Sequence, residues 1–171
     1  MLIALSPDNR WEFLTAMSKA WEWAQDRKRF YCETGGAQSI DEYLADAATP
    51  DKKQLAIVDD GALLSIVTAR MITDDDFEIH VTSPRKTDRE AIVRDAQHGI
   101  CSLFEQLHAD TISTTCPVYG AHEHRGSRQL AEACGMTPTG TEWRSACDEG
   151  IRWREYAITR DTYYGKAETS N

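Results

Sequence analysis

Apolar side chains recur along this chain with two periods, and the switches between them mark out its elements. Leu14, Met17, Trp21 and Ala24 keep the three-to-four spacing that lines one face of a helix. Ahead of them, Ser6-Pro7-Asp8 supplies an N-cap serine, a proline suited to the first helical position and an acid for the first turn. A helix is predicted from there to about residue 29, after a short strand over residues 1–5. Gly35-Gly36 breaks the pattern, and Ser39 with Glu42 forms a capping box for a shorter helix carrying Ile40, Tyr43 and Leu44.

The period then falls to two. Residues 54–58 and 63–71 read as strands joined through Asp59-Asp60-Gly61, the residue chemistry of a tight hairpin turn. In residues 77–82, Phe77, Ile79 and Val81 alternate with Glu78, His80 and Thr82. Thr87 with Glu90 caps a long helix whose stripe is Ile92, Ala96, Ile100, Leu103 and Leu107. A strand over residues 111–116 is stopped by Pro117, and a short helix over 127–134 is ended by Gly135. Residues 137–144 and 151–159 form a closing hairpin around Asp148-Glu149-Gly150. The order β-α-α-β-β-β-α-β-α-β-β gives an α/β fold of the mixed, α+β kind, with a mostly antiparallel central sheet, a parallel βαβ core and helices on both faces. One domain is expected over residues 1–165, with a flexible tail at 166–171.

Composition narrows the function. A net charge of −9 speaks against nucleic acid as a partner and against an anionic membrane surface. No run of apolar residues is long enough to span a bilayer, and residues 1–6 lack the basic flank of a cleavable signal. Five cysteines without a C-x-x-C pair point to reduced thiols, a cytoplasmic setting and no structural metal.

The run from His124 through Arg125, Gly126, Ser127, Arg128 and Leu130 to Cys134, Gly135 and Met136 resembles the closing segment of the GNAT acyltransferases, the relatives of Gcn5, whose element order also matches. That resemblance implies a GNAT-like fold, an acyl-CoA cofactor such as acetyl-CoA, and acyl transfer to an amine. Two positions depart from it. The family's glycine-containing cofactor loop is replaced by Ser83-Pro84-Arg85-Lys86-Thr87-Asp88-Arg89, and a loop without glycine cannot freely take positive φ or let a phosphate approach its backbone as closely. The tyrosine that often serves as general acid corresponds to Ala131. Val81-Thr82-Ser83, Arg128 and Gly135 are also similar to divergent phage GNAT-like proteins such as the small internal virion protein of T7-like phages.

The resemblance implies Glu78 as general base, with His80 on the same strand face and Tyr119 as a replacement acid. Alternation alone also explains Glu78 and His80 as polar residues of a wetter face. Val81, Ser83, Arg85, Lys86, Thr87 and Arg89, together with His124 and Arg128, are the positions for the cofactor, its phosphates held by charge beside helix starts. His122 and His124 have poor spacing for a metal. Cys116 stands where a nucleophile would be useful but has no adjacent base in sequence.

Two readings follow. In the first, the chain is a divergent acyl-CoA-dependent N-acyltransferase acting on a small-molecule or protein amine, with a degenerate cofactor loop. In the second, it is a catalytically inactive GNAT-fold phage protein, inside a phage particle or binding host proteins through contacts; a homo-oligomer is compatible with either. An enzyme needs an open cleft between residues 77–82 and 111–116. A contact protein fills that cleft and exposes Trp11 or Trp23.

Overall fold

The computed structural model describes residues 1–25, 37–84, 89–119, 122–123, 125–144 and 151–168. In chain order the elements are β1 (Leu2–Leu5), α1 (Arg10–Gln25), α2 (Ile40–Ala47), β2 (Lys52–Asp59), β3 (Ala62–Met71), β4 (Asp76–Thr82), α3 (Arg89–Gln106), β5 (Thr111–Tyr119), β6 (His122–Glu123), α4 (Arg125–Ala133), β7 (Thr137–Arg144), β8 (Ile151–Thr159) and α5 (Arg160–Glu168). Hydrogen-bonded neighbours follow the order β1-β2-β3-β4-β5-β8-β7, with β6 beside β5. The β4–β5 pair is parallel, while β1–β2, β2–β3, β5–β8 and β7–β8 are antiparallel, as the mixed fold class expects. Backbone contacts group into two compact units, Met1–Arg70 with His80–Gly99, and Met71–Ile79 with Ile100–Asn171.

In the first unit, local chemistry sets most boundaries. Asp60 and Gly61 form the two-residue turn between β2 and β3, with φ of 46° and 77°, a turn whose twist suits the paired strands. The Ser39 hydroxyl accepts from the Glu42 N–H at 3.2 Å, so the predicted α2 cap forms, and the Glu42 carboxylate reaches back one residue past the cap to accept from the Gln38 N–H at 2.8 Å. The start of α1 differs from the sequence reading. Ser6 heads a turn, accepting from the Asp8 and Asn9 N–H groups, and Asn9 takes the capping position, its carbonyl accepting from the Phe13 N–H. Ser and Asn are equally good caps, and the turn built on Pro7 delays the helix. The predicted extension of α1 to residue 29, the Gly35-Gly36 break and the Thr87 cap lie outside the described residues.

Alternation on β3 divides the packing. Ile66 joins Phe13, Met17, Ala20, Trp21 and Tyr43 in one core, where the Trp21 and Tyr43 rings lie 5.4 Å apart. Its neighbours Ser65 and Val67 face α3. The Ser65 hydroxyl donates to the sealed Asp95 carboxylate at 3.1 Å, and a methyl group on Gly99, one turn further on, would come within 3.2 Å of Val67. Small side chains at these positions let the helix lie close on the strand.

In the second unit, α4 ends in a Schellman arrangement. The Met136 N–H reaches the Ala131 carbonyl and the Gly135 N–H the Glu132 carbonyl, with Gly135 at φ 81° as its sequence position suggested. Pro117 does not stop β5, which runs on to Tyr119 in register with β8. Between Ser113 and Val118 only β8 flanks β5 in register among the described residues, and a strand with one open side tolerates a residue without an N–H. Two elements were not foreseen, β6 and α5. Helix α5 takes in residues 166–168 of the segment read as a tail. It docks through Tyr163 and Tyr164, whose rings lie 5.2 and 6.3 Å from that of Phe104, and through Arg160, which stacks over the same ring and donates to the Ala109 carbonyl at 3.0 Å.

Two outcomes follow from this packing. Phe104 is fully buried, so Phe104→Ala should lower the unfolding free energy by about 3–5 kcal/mol in denaturant titration, with loss of α5 docking. Burial also pushes the Cys134 thiol up to about 11 from 9.0 and, together with Cys101 beside it, the Tyr163 phenol up to about 12 from 10.0. Above the ordinary values the unfolded chain sheds protons that the native chain retains. This stabilisation is therefore complete below about pH 9 and is lost as pH rises through both native values. The melting temperature should fall over that window, and less steeply in Cys134→Ala with Tyr163→Phe; an unchanged slope would refute the assignment.

Candidate functional site

The ladders decide which side chains share a face. Glu78 pairs with Ser113, and Ser113 pairs on its other side with Ala157; Thr115 pairs with Glu155, and Pro117 with Trp153. Opposite residues in a ladder point the same way, so Glu78, Ser113, Thr115, Ala157, Glu155 and Trp153 occupy one face of the second unit's sheet. The reverse face carries Phe77, Ile112, Cys116, Tyr156 and Ile158, all buried. The Glu78 face is different in kind: Ser113, Thr115, Ala157, Glu155 and Trp153 are only half-buried, and most of them are polar.

Glu78 itself is buried, at 8% exposure, although it stands on the wetter of the two faces, while His80 two residues on is exposed. The parallel register runs from Asp76 with Thr111 to Glu78 with Ser113, and just beyond it the Thr114 hydroxyl donates to the Ile79 carbonyl at 2.8 Å. Tyr119 ends β5, its backbone in register with Ile151 on β8 and His122 on β6. Cys116 lies within the sealed face, fully buried, as a small packing residue. Ala131, where the resemblance places a tyrosine acid, is buried at 2% exposure.

In the first unit the cofactor positions at the end of β4 are partly visible. Val81 is half-buried and Ser83 buried, whereas Arg89 is exposed at the start of α3. Arg85, Lys86 and Thr87, and in the second unit His124, lie outside the described residues. Arg128 sits on the first turns of α4, its Nε 3.6 Å from the Glu132 carboxylate, an ion pair too long for a hydrogen bond. Although that side chain is 43% exposed, its Nε is shielded from solvent and meets no acceptor among the described residues. A shielded donor without an acceptor suits an anionic ligand. Among the described residues no three His, Cys, Asp or Glu side chains converge as a metal site, and no helix is long and apolar enough to cross a membrane.

The β7–β8 hairpin places two carboxylates in contrasting settings. Glu142 is held by Arg154 and Arg152, and the Arg154 hydrogen bond is the main reason its carboxyl lies below its usual range. Glu155 accepts one hydrogen bond, from the Thr139 hydroxyl at 2.7 Å, and no cation among the described residues pairs with it. Sequence reasoning passed over Ser113, Thr115, Trp153 and Glu155. Their signal was the alternation of residues 111–115 and 153–157, which becomes informative only once the two strands are known to pair.

No family model matches the sequence, and no curated protein matches it. Solved structures do. The chain is similar to a single-site mutant of spermidine N-acetyltransferase from Vibrio cholerae, with a TM-score of 0.75 and 13% identity over 98% of this chain and 99% of that one. It is similar to a GNAT-family acetyltransferase from Bacillus anthracis, with a TM-score of 0.67 and 14% identity over 92% and 94%. It is also similar to N-acetyltransferase PseH of Campylobacter jejuni, solved with acetyl coenzyme A, with a TM-score of 0.61 and 11% identity over 94% and 99%. At such identities the likeness is one of architecture, and the chain has the GNAT fold.

Proposed function

We propose that the chain is an acyl-CoA-dependent N-acyltransferase that acts on an amine, with Glu78 as its general base. The observation that carries this reading is a buried carboxylate on β4, on a half-open polar face whose reverse, where β4 meets β5 and β8, is covered by the buried Phe77, Ile112, Tyr156 and Ile158. An amine is protonated near neutral pH and cannot attack until its proton is removed, which a carboxylate at that position can do directly or through water. His80, exposed on the same strand, passes the proton to solvent. Tyr119 at the end of β5 donates to the leaving group. When bound, the acyl-CoA supplies an activated acyl thioester. The residues assigned to it are Ser83, Arg85, Lys86, Thr87 and Arg89 for the phosphates, and Val81, His124 and Arg128 for the rest; the shielded Arg128 Nε, a donor suited to an anion, supports its own part in that assignment. The similar structures supply further support, since one is named for spermidine and another holds acetyl coenzyme A. A soluble, cytoplasmic, metal-free enzyme is the setting that fits.

One observation favours the second reading, a GNAT-fold phage protein that works by contacts. Trp11 is 81% exposed at the start of α1, whereas Trp23 packs against the core. A contact role is compatible with this fold, because fold does not fix chemistry.

Calorimetric titration with acetyl-CoA separates the two. The transferase reading expects micromolar binding, weakened about tenfold by Arg85→Glu. With an amine acceptor supplied, Glu78→Gln should lower kcat by roughly 10²–10⁴ without abolishing acetyl-CoA binding. Absence of binding at millimolar acetyl-CoA overturns this function for that cofactor.

A further inference from the structure

The half-buried carboxylate of Glu155 lacks a counter-charge in a hairpin that has arginines to spare. On the reverse face, Arg152 and Arg154 both converge on Glu142, so the same two strands saturate one carboxylate and leave the other without a cation among the described residues. Partial burial of a carboxylate costs free energy unless hydrogen bonds and opposite charge compensate it, and the Thr139 hydroxyl supplies one hydrogen bond. Two residues along β8, on the same face, Trp153 is half-buried and pairs across the ladder with Pro117. An indole beside an unpaired carboxylate attracts cations from two sides, by charge and through the ring face.

Register also relates this corner to the proposed base. From Glu78 to Glu155 is two strand spacings across and two residues along, about 12 Å between Cα atoms. Ser113, Thr115 and Ala157 lie between, small side chains that leave room for a flexible chain. We infer that Glu155 and Trp153 form a subsite for a second ammonium group of the acceptor, so that the chain selects an aliphatic diamine or polyamine and acylates its other end at Glu78. This rests on the transferase reading above. A metal ion is a poorer occupant, because Glu155 belongs to no group of three potential ligands among the described residues. A compact monoamine satisfies Glu78 but leaves Glu155 unpaired.

The test compares butylamine with diaminobutane as acceptors, following release of the CoA thiol. The unaltered chain should prefer the diamine in kcat/KM by about tenfold or more, the scale of one charge-assisted hydrogen bond. Glu155→Gln should erase that preference, Trp153→Leu should reduce it, and Glu142→Gln on the reverse face should retain it. Equal use of both amines by the unaltered chain, or a preference that survives Glu155→Gln, overturns the subsite. If no amine is acylated, the transferase reading fails, and the subsite is decided by calorimetric binding of diaminobutane alone. Binding lost in Glu155→Gln upholds it, and absence of binding, or binding unchanged by the substitution, overturns it. Circular dichroism of each variant checks that the fold persists.

Discussion

The β5–β8 ladder is the constraint on which the site depends. It runs in unbroken register from Thr111 with Thr159 to Tyr119 with Ile151, and every side chain along it is assigned a face by that register. Sliding β5 by a single residue would bring Ser113 and Thr115 into the interior and expel Ile112 and Cys116, and sliding β8 would exchange Glu155 and Ala157 for Tyr156 and Ile158 in the same way. The apolar set therefore does two things. It supplies the burial that holds the strands together, and by refusing solvent it compels the polar set to stay on the other side. Glu78 inherits its place from the same rule, because its partner Ser113 belongs to the polar set.

Charge within the β7–β8 hairpin follows from geometry in the same way. Glu142 faces Arg154 across the ladder and collects Arg152 from the next pair on that face, so its ionised form is favoured. Such a cluster is partly exposed and adds little to stability, since solvent screens it. Its significance is one of contrast. A hairpin able to gather two guanidinium groups about one carboxylate leaves its second carboxylate with a hydroxyl alone. Alternation explains the separation, for Arg152 and Arg154 are confined to the face that Glu155 does not share.

What could be read in advance was chemistry confined to a few neighbouring residues. The Ser39–Glu42 cap, the Asp60-Gly61 turn and the Gly135 cap each depend on side chains within six positions of one another, and each formed. The start of α1 was misread because Ser6 and Asn9 compete for the same role. Pro117 was read as a strand end because its tolerance depends on which side of β5 is open, a property of the sheet. Helix α5 has no apolar stripe to announce it; it is held by Phe104, more than fifty residues earlier. The candidate site divides along the same line. Glu78 was legible from its strand, but its burial was not, because alternation reports which residues share a face and is silent about which face is covered. Trp153 and Glu155 were invisible for the same reason until β5 supplied their partners.

The loop after β4 shows how far a shared fold constrains chemistry. At 13% identity the architecture is shared while most side chains differ. A glycine-containing loop holds phosphate with backbone amides whose direction is set by the fold. The segment from Ser83 to Arg89 offers arginine and lysine instead, just ahead of α3 in the sequence, and cations at a helix start oppose the macrodipole by about a few tenths of a kcal/mol each. Folding alone gains nothing from that placement, whereas an anion arriving there reverses its sign. Side-chain charge is also screened by salt more strongly than amides fixed in a loop. The β4–β5 ladder, by contrast, orients Glu78 through its pairing with Ser113, so a residue on that strand is directed by the fold whatever chemistry it serves.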